Sequence, residues 1–160
     1  MLLESITLWL FLLVQIHVGT CTITSSSFIS TWDTLDSGSI QLPLQSTGTY
    51  DMSVDWGDDS ITHIDEYDIN LLLHNYSVDG QYTIIINGII NGFRFADNYL
   101  NAEKLLSVSQ WGDLLLGNSG AYFKGCSNLR LNATDSLNLT GVQNADSFFC
   151  YCHQFNGIYI

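Results

Sequence analysis

The chain has 160 residues, of which 46% are hydrophobic, with eight Tyr, eight Phe and four Trp. This supplies the core of one ordinary domain, or of a small domain plus a fragment, and the aromatic content favours strands over helices. Sixteen acidic residues against four basic ones give a net charge of −12. Four scattered cations cannot form the basic surface that nucleic acids or anionic membranes require, so we expect no nucleic-acid partner.

The N-terminus has the pattern of a targeting segment. Ile6 to Val18 is mostly apolar and is followed by small residues, which is typical of a signal-peptide core and too short for a membrane-spanning helix. Glu4 stands where a basic residue is usual, and an unusual apolar extension is the alternative. We expect a signal peptide at residues 1–21, a polar linker at 22–27, and a secreted or cell-surface protein with no integral membrane span after processing.

Strands are predicted from period-two alternation and from runs of β-branched and aromatic residues. The clearest is Thr49 to Trp56, with Tyr50, Met52, Val54 and Trp56 on one face. The others are predicted at Phe28–Asp33, at Ile40–Leu44 as an edge strand, and at Tyr82–Ile86. A turn is predicted at residues 46–48. A bend at Asn87-Gly88 is expected to separate Tyr82–Ile86 from one more strand that reaches Phe95.

A repeat with a period of 26 residues occupies the C-terminal part. Phe123-Lys124-Gly125-Cys126-Ser127-Asn128-Leu129 aligns with Phe149-Cys150-Tyr151-Cys152-His153-Gln154-Phe155. Periods in the twenties are typical of solenoids with one coil per repeat. We therefore expect stacked coils beginning near residue 105, with Trp111 packed where the coils meet the preceding domain.

Two segments of the first domain resemble the signature of PKD (polycystic kidney disease-type) domains. The first is Val54 to Asp59, which contains Trp56-Gly57-Asp58. The second is His74-Asn75-Tyr76 followed by Gly80 and the strand that begins at Tyr82. The resemblance implies an Ig-like β-sandwich used outside cells for binding and spacing.

The order of the motifs is similar to that of BspA-like leucine-rich-repeat surface proteins. The matching segments are Phe28–Thr34, Ile40–Leu44, Tyr50–Asp58, Leu105–Asp113 and Tyr122–Leu129. The resemblance implies an all-β protein with a PKD/Ig-like β-sandwich at residues 28–104, followed by a truncated BspA-type leucine-rich-repeat solenoid at 105–160. It also implies a non-enzymatic adhesion or recognition module for an extracellular protein or glycan ligand. Tyr151 departs from the pattern, because glycine is usual there, and so does Asp59.

Acidic residues cluster in the turn after the Thr49 strand. Asp55, Asp58 and Asp59 are weak candidates for calcium ligands, since Ca²⁺ prefers carboxylate and carbonyl oxygens. The spacing does not match an EF-hand, and the alternative is that Asp58 and Asp59 accept hydrogen bonds from turn amides. No other cofactor is expected.

Cys126 and Cys152 occupy equivalent repeat positions. They are interpreted as small apolar fillers of a buried ladder, with a disulfide as the alternative in an oxidising compartment. Cys150, Cys152 and His153 lack the spacing of a zinc site.

No nucleophile, phosphate-binding or metalloprotease motif is present, so no catalytic residue is assigned. The alternatives to an adhesion module are an accessory domain of a secreted hydrolase and a degenerate fragment.

Overall fold

The structure is a computed structural model that describes residues 21–96 and 98–156. The predicted signal peptide therefore lies outside the described residues, apart from Cys21. The strands are β1 (Phe28–Asp33), β2 (Ser39–Gln41), β3 (Leu44–Asp55), β4 (Ile61–Ile64), β5 (Leu73–Asn75), β6 (Gln81–Phe93), β7 (Leu105–Gln110) and β8 (Arg130–Leu131), and the helices are α1 (Ile69–Leu72) and α2 (Tyr99–Ala102).

The all-β prediction is confirmed at the level of fold class. The structure is 37% strand and 6% helix. Six strands form a mixed sheet in the order β4-β3-β6-β1-β7-β8, and β2 and β5 form a second sheet. All neighbours in the large sheet are antiparallel except β7 and β8, which pair in parallel. In the part of the chain that the structure describes, no helix has the length and apolar character needed to cross a membrane.

The predicted bend at Asn87-Gly88 is wrong, because β6 runs unbroken from Gln81 to Phe93. Gly88 lies opposite Met52 of β3. A Cβ atom at this position would be 2.2 Å from the carbonyl oxygen of Asp51. The glycine therefore marks a close approach of two strand backbones rather than a turn.

The predicted edge strand is correct only in part. Ile40 lies in β2, but Leu44 begins β3, and Pro43 separates the two strands. The carbonyl oxygen of Pro43 accepts a hydrogen bond of 2.6 Å from the amide of Arg94. The turn predicted at residues 46–48 is instead an irregularity within β3, where the register with β6 shifts between Leu44 and Thr49.

One hydrophobic core extends across the predicted boundary between residues 104 and 105. β7, which follows that boundary, pairs with β1 of the large sheet. The ring of Phe28 contacts the ring of Trp111 at a centroid distance of 6.4 Å, and the ring of Phe93 contacts the ring of Phe123 at 5.8 Å. The sheet and the C-terminal coils therefore share buried aromatic contacts.

Candidate functional site

The two segments that resemble the PKD signature come together around one stack of aromatic rings. The His74 ring lies parallel to the Trp56 ring at a centroid distance of 4.7 Å and meets the edge of Tyr76 at 4.6 Å. Tyr76 in turn stacks on Tyr82 at 3.8 Å. The Tyr76 hydroxyl donates a 3.0 Å hydrogen bond to the carbonyl oxygen of Trp56, and burial raises the pKa of that hydroxyl.

The turn after β3 is fixed by carboxylates. Asp55 accepts a 3.0 Å hydrogen bond from the amide of Gly57. Asp58 accepts one from the amide of Ser60 at 3.2 Å, and its second oxygen lies 2.8 Å from Nε2 of His74. Burial disfavours the Asp58 carboxylate, but hydrogen bonds from Ser60 and His74 outweigh this and lower the pKa of the carboxyl.

These carboxylates do not gather into a recognisable cation site. In residues 21–96 and 98–156, no group of three or more His, Cys, Asp or Glu side chains is placed to hold a metal ion. Asp59 has a left-handed backbone with φ of 67°. Asp58 accepts from a turn amide as the alternative interpretation proposed, Asp55 does the same, and calcium binding stays a prediction. Gly80 donates a 3.0 Å hydrogen bond to the Thr34 hydroxyl and thus ties the start of β6 to the end of β1.

Three turns stack on one another, one just after β6 and two in the C-terminal part; we define them as turn 1 (residues 95–96), turn 2 (121–126) and turn 3 (147–152). Amides of turn 1 donate to carbonyl oxygens of turn 2, and amides of turn 2 donate to Asp146, Phe148 and Cys150 in or beside turn 3. The backbone is left-handed at the same place in each turn, with φ of 54° at Ala96, 50° at Ala121 and 54° at Ser147. The period of about 26 residues is therefore a spatial repeat.

The sequence alignment of the repeat, which pairs residues 123–129 with 149–155, does not include turn 1. Only Ala96, Ala102 and Leu105 correspond to later positions, and the spacing from Ala102 to Cys126 is 24 residues rather than 26. Ala102, Leu105 and their counterparts Cys126 and Leu129 are all fully buried. The sequence signal of turn 1 is the pair Ala102 and Leu105, which matches Cys126 and Leu129. It is hard to recognise because alanine replaces cysteine and no Phe precedes it at the repeat position.

The repeat cysteines lie inside the stack as free thiols. Cys126 is fully buried, and burial raises the pKa of its thiol, with the nearby Cys152 adding to the shift. Burial also raises the pKa of Cys152, to about 11, and its Sγ donates to the carbonyl oxygen of Phe123 at 3.0 Å. Both thiols are therefore uncharged at neutral pH, consistent with apolar filling.

An apolar cavity of about 610 Å³ opens beside turn 3. Its lining residues are Trp111, Leu131, Ala133, Asp135, Ser136, Leu137, Leu139, Val142, Ala145, Phe148 and Phe149. The carboxylate of Asp135 is already occupied, because it accepts hydrogen bonds from the amides of Trp111 and Gly112 at 2.8 to 3.0 Å. Trp111 and Phe149 belong to the sequence motifs, but no motif indicated that the lining residues would enclose a cavity.

Phe149 shows why the cavity exists. Its ring stacks on Phe123 of turn 2 at a centroid distance of 5.5 Å. Phe123 is fully buried, whereas Phe149 is only partly buried. Equivalent side chains are thus covered in turn 2 and only partly covered in turn 3, because among residues 21–96 and 98–156 turn 3 has a neighbouring turn on one side only.

No protein-family model matches the chain, and neither a curated protein nor a solved structure does.

Proposed function

We propose that the protein is a non-enzymatic binding module of the BspA-like type, secreted or held at the cell surface, that recognises an extracellular protein or glycan. In this proposal the PKD-like sandwich is a rigid spacer and the leucine-rich-repeat coils carry the binding surface. The observation that supports it is the 610 Å³ apolar cavity beside turn 3. Concave apolar sites of this size are where proteins bind ligands.

The charge and the sandwich signature agree with this proposal. A net charge of −12 keeps the chain soluble and repels nucleic acids. The Trp56–His74–Tyr76 stack joins the turn after β3 to β5 and β6, and its polar atoms are used within the fold. The contacts of these signature residues therefore explain their presence by folding alone, without a substrate.

A pair of lysine substitutions tests the proposed site. Leu139 lines the cavity and is 44% exposed, so Leu139→Lys places a charge in the cavity without breaking the core. Ile89 lies on β6, is 53% exposed and is not part of the cavity lining, so Ile89→Lys is the matched control.

The purified chain is to be applied to an array of extracellular-matrix proteins and glycans. We expect at least one ligand whose binding falls at least tenfold in Leu139→Lys and is unchanged in Ile89→Lys. Absence of any ligand, or equal binding by both variants, would overturn the proposed site. Fractionation of cells that express the tagged full chain tests the location, and retention in the cytosol would contradict secretion.

A further inference from the structure

We propose that the open side of turn 3 binds a polypeptide segment that adds one more turn of the same kind, offering main-chain carbonyl oxygens and apolar side chains. This rests on the proposed function, because it names the partner class of the same cavity. Each turn covers the one before it, and these contacts indicate what kind of segment would cover turn 3.

Hydrogen bonding between the turns has a direction. Ala96 donates its amide to the carbonyl oxygen of Ala121 at 3.1 Å, and Ala121 donates to Asp146 at 2.7 Å. Phe123 donates to Phe148 at 2.9 Å. Each of these three main-chain bonds runs from an amide of one turn to a carbonyl oxygen in or beside the next turn.

The same positions in turn 3 have no partner. Within the described residues, no acceptor bonds the amide N–H groups of Ser147, Phe149 and Tyr151, which correspond to the bonded amides of Ala121, Phe123 and Gly125. Within that part of the chain, three alternate amides of one segment are therefore unbonded, as they are at the edge of a sheet. Such an edge binds an added peptide segment through main-chain hydrogen bonds.

The cavity supplies the apolar part of the same surface. Phe148 and Phe149 line it and also belong to turn 3. In turn 2, the corresponding residues Tyr122 and Phe123 are fully buried, with Phe148 against both rings at 4.9 and 6.0 Å. An added segment that places aromatic or aliphatic side chains on Phe148 and Phe149 would therefore continue an interface already present between turns 2 and 3.

The geometry disfavours the two other occupants. A second copy that docked through its own turn 3 would bring amide donors against amide donors, and neither set would gain an acceptor. A glycan needs several polar groups along its site, but the lining is mainly aliphatic and aromatic, and the Asp135 carboxylate is bonded to backbone amides.

The probe is a synthetic peptide of residues 144–156, because this segment already covers turn 2 in the required manner. Cys150→Ser and Cys152→Ser within the peptide prevent disulfide exchange with the protein. The labelled peptide is titrated against the full chain by fluorescence anisotropy. We expect saturable binding, weakened at least tenfold by Leu139→Lys, unchanged by Ile89→Lys, and absent for a peptide of scrambled order.

A second measurement reports on the backbone donors. Amide hydrogen exchange of Ser147, Phe149 and Tyr151 should slow at least tenfold when the peptide is bound, whereas filling of the cavity alone would leave it unchanged. Unchanged exchange therefore overturns the added turn even if the peptide binds.

Two further results would also overturn it. The first is that the peptide shows no saturable binding, although an array ligand still binds and loses affinity in Leu139→Lys. That result rejects the added turn and leaves the proposed function intact. The other is a dimer in analytical ultracentrifugation that Leu139→Lys dissolves, which makes a second copy the occupant. If neither peptide nor array ligand binds, both proposals fail together.

Discussion

Tyr151 has a left-handed backbone conformation, which an L-residue with a large side chain avoids. Its φ is 63°, and the equivalent position in turn 2 is Gly125, with φ of 82°. A left-handed backbone costs an ordinary L-residue about 1–2 kcal/mol, and glycine is largely free of that cost. The Tyr151 side chain is 58% exposed, so its removal loses little burial.

Tyr151→Gly is therefore expected to stabilise the protein. Relief of about 1–2 kcal/mol of backbone strain is opposed by about 0.4–1 kcal/mol from the greater freedom of glycine in the unfolded chain. We expect a net gain of about 0.5–1 kcal/mol in the free energy of unfolding. Urea unfolding followed by tryptophan emission measures it, since Trp32 and Trp56 are fully buried.

The reciprocal change is the matched control. In Gly125→Ala the new Cβ would lie 2.6 Å from Cδ1 of Tyr99 and 3.4 Å from Cβ of Ala102, at a φ that alanine avoids. A loss of about 1–2 kcal/mol or more is expected. If Tyr151→Gly lowers the urea midpoint, or if Gly125→Ala leaves it unchanged, left-handed strain is not what distinguishes the two turns.

Three further outcomes follow from the fold and the site. Gly88→Ala should lower the free energy of unfolding by about 2 kcal/mol or more, because its Cβ would lie 2.2 Å from a carbonyl oxygen of β3. Ile89→Ala, at the exposed neighbouring position, should change the free energy of unfolding by less than about 0.5 kcal/mol in the same urea titration. Asp58→Asn should lower the urea midpoint at pH 7, and this deficit should shrink as the pH falls. The lowered pKa of Asp58 means that its contribution is present above about pH 4 and is lost as the pH falls through the folded-state pKa. A deficit that does not change with pH would contradict the bond to His74. Iodoacetamide labelling of Cys152, followed by peptide mass spectrometry, should accelerate with pH up to about 11, and a rate that levels off near pH 8.5 would show that the thiol is not buried as described.

Local patterns predicted the strands and the repeat because each depends on few residues. The alternation from Tyr50 to Trp56 identifies one face of β3, and all four side chains on that face are buried. The 26-residue spacing identified turns 2 and 3 because Phe and Cys recur in the same places. Trp111 was expected at the junction, and it is buried there.

Other features depend on partners distant in the chain. Asn87-Gly88 has the local pattern of a turn, but the backbone of β3 passes so close to Gly88 that only glycine fits. Whether such a dipeptide bends or continues is decided by a strand some 35 residues away, which no local pattern contains. The cavity had no sequence signal either, since it arises from where stacking stops.

Turn 1 joins the large sheet to the stack of turns. Solenoids normally need several repeats and a capping unit at each end, because a terminal coil exposes an apolar face and unpaired backbone groups. Here Phe95 and Ala96 lead directly out of β6, and their amides bond to Tyr122 and Ala121 of turn 2. Phe93 also packs on Phe123 at 5.8 Å. The large sheet therefore caps the N-terminal side of the stack through shared backbone and a shared core. Turn 3 has no such cap among the described residues, so apolar side chains and free amide donors coincide there.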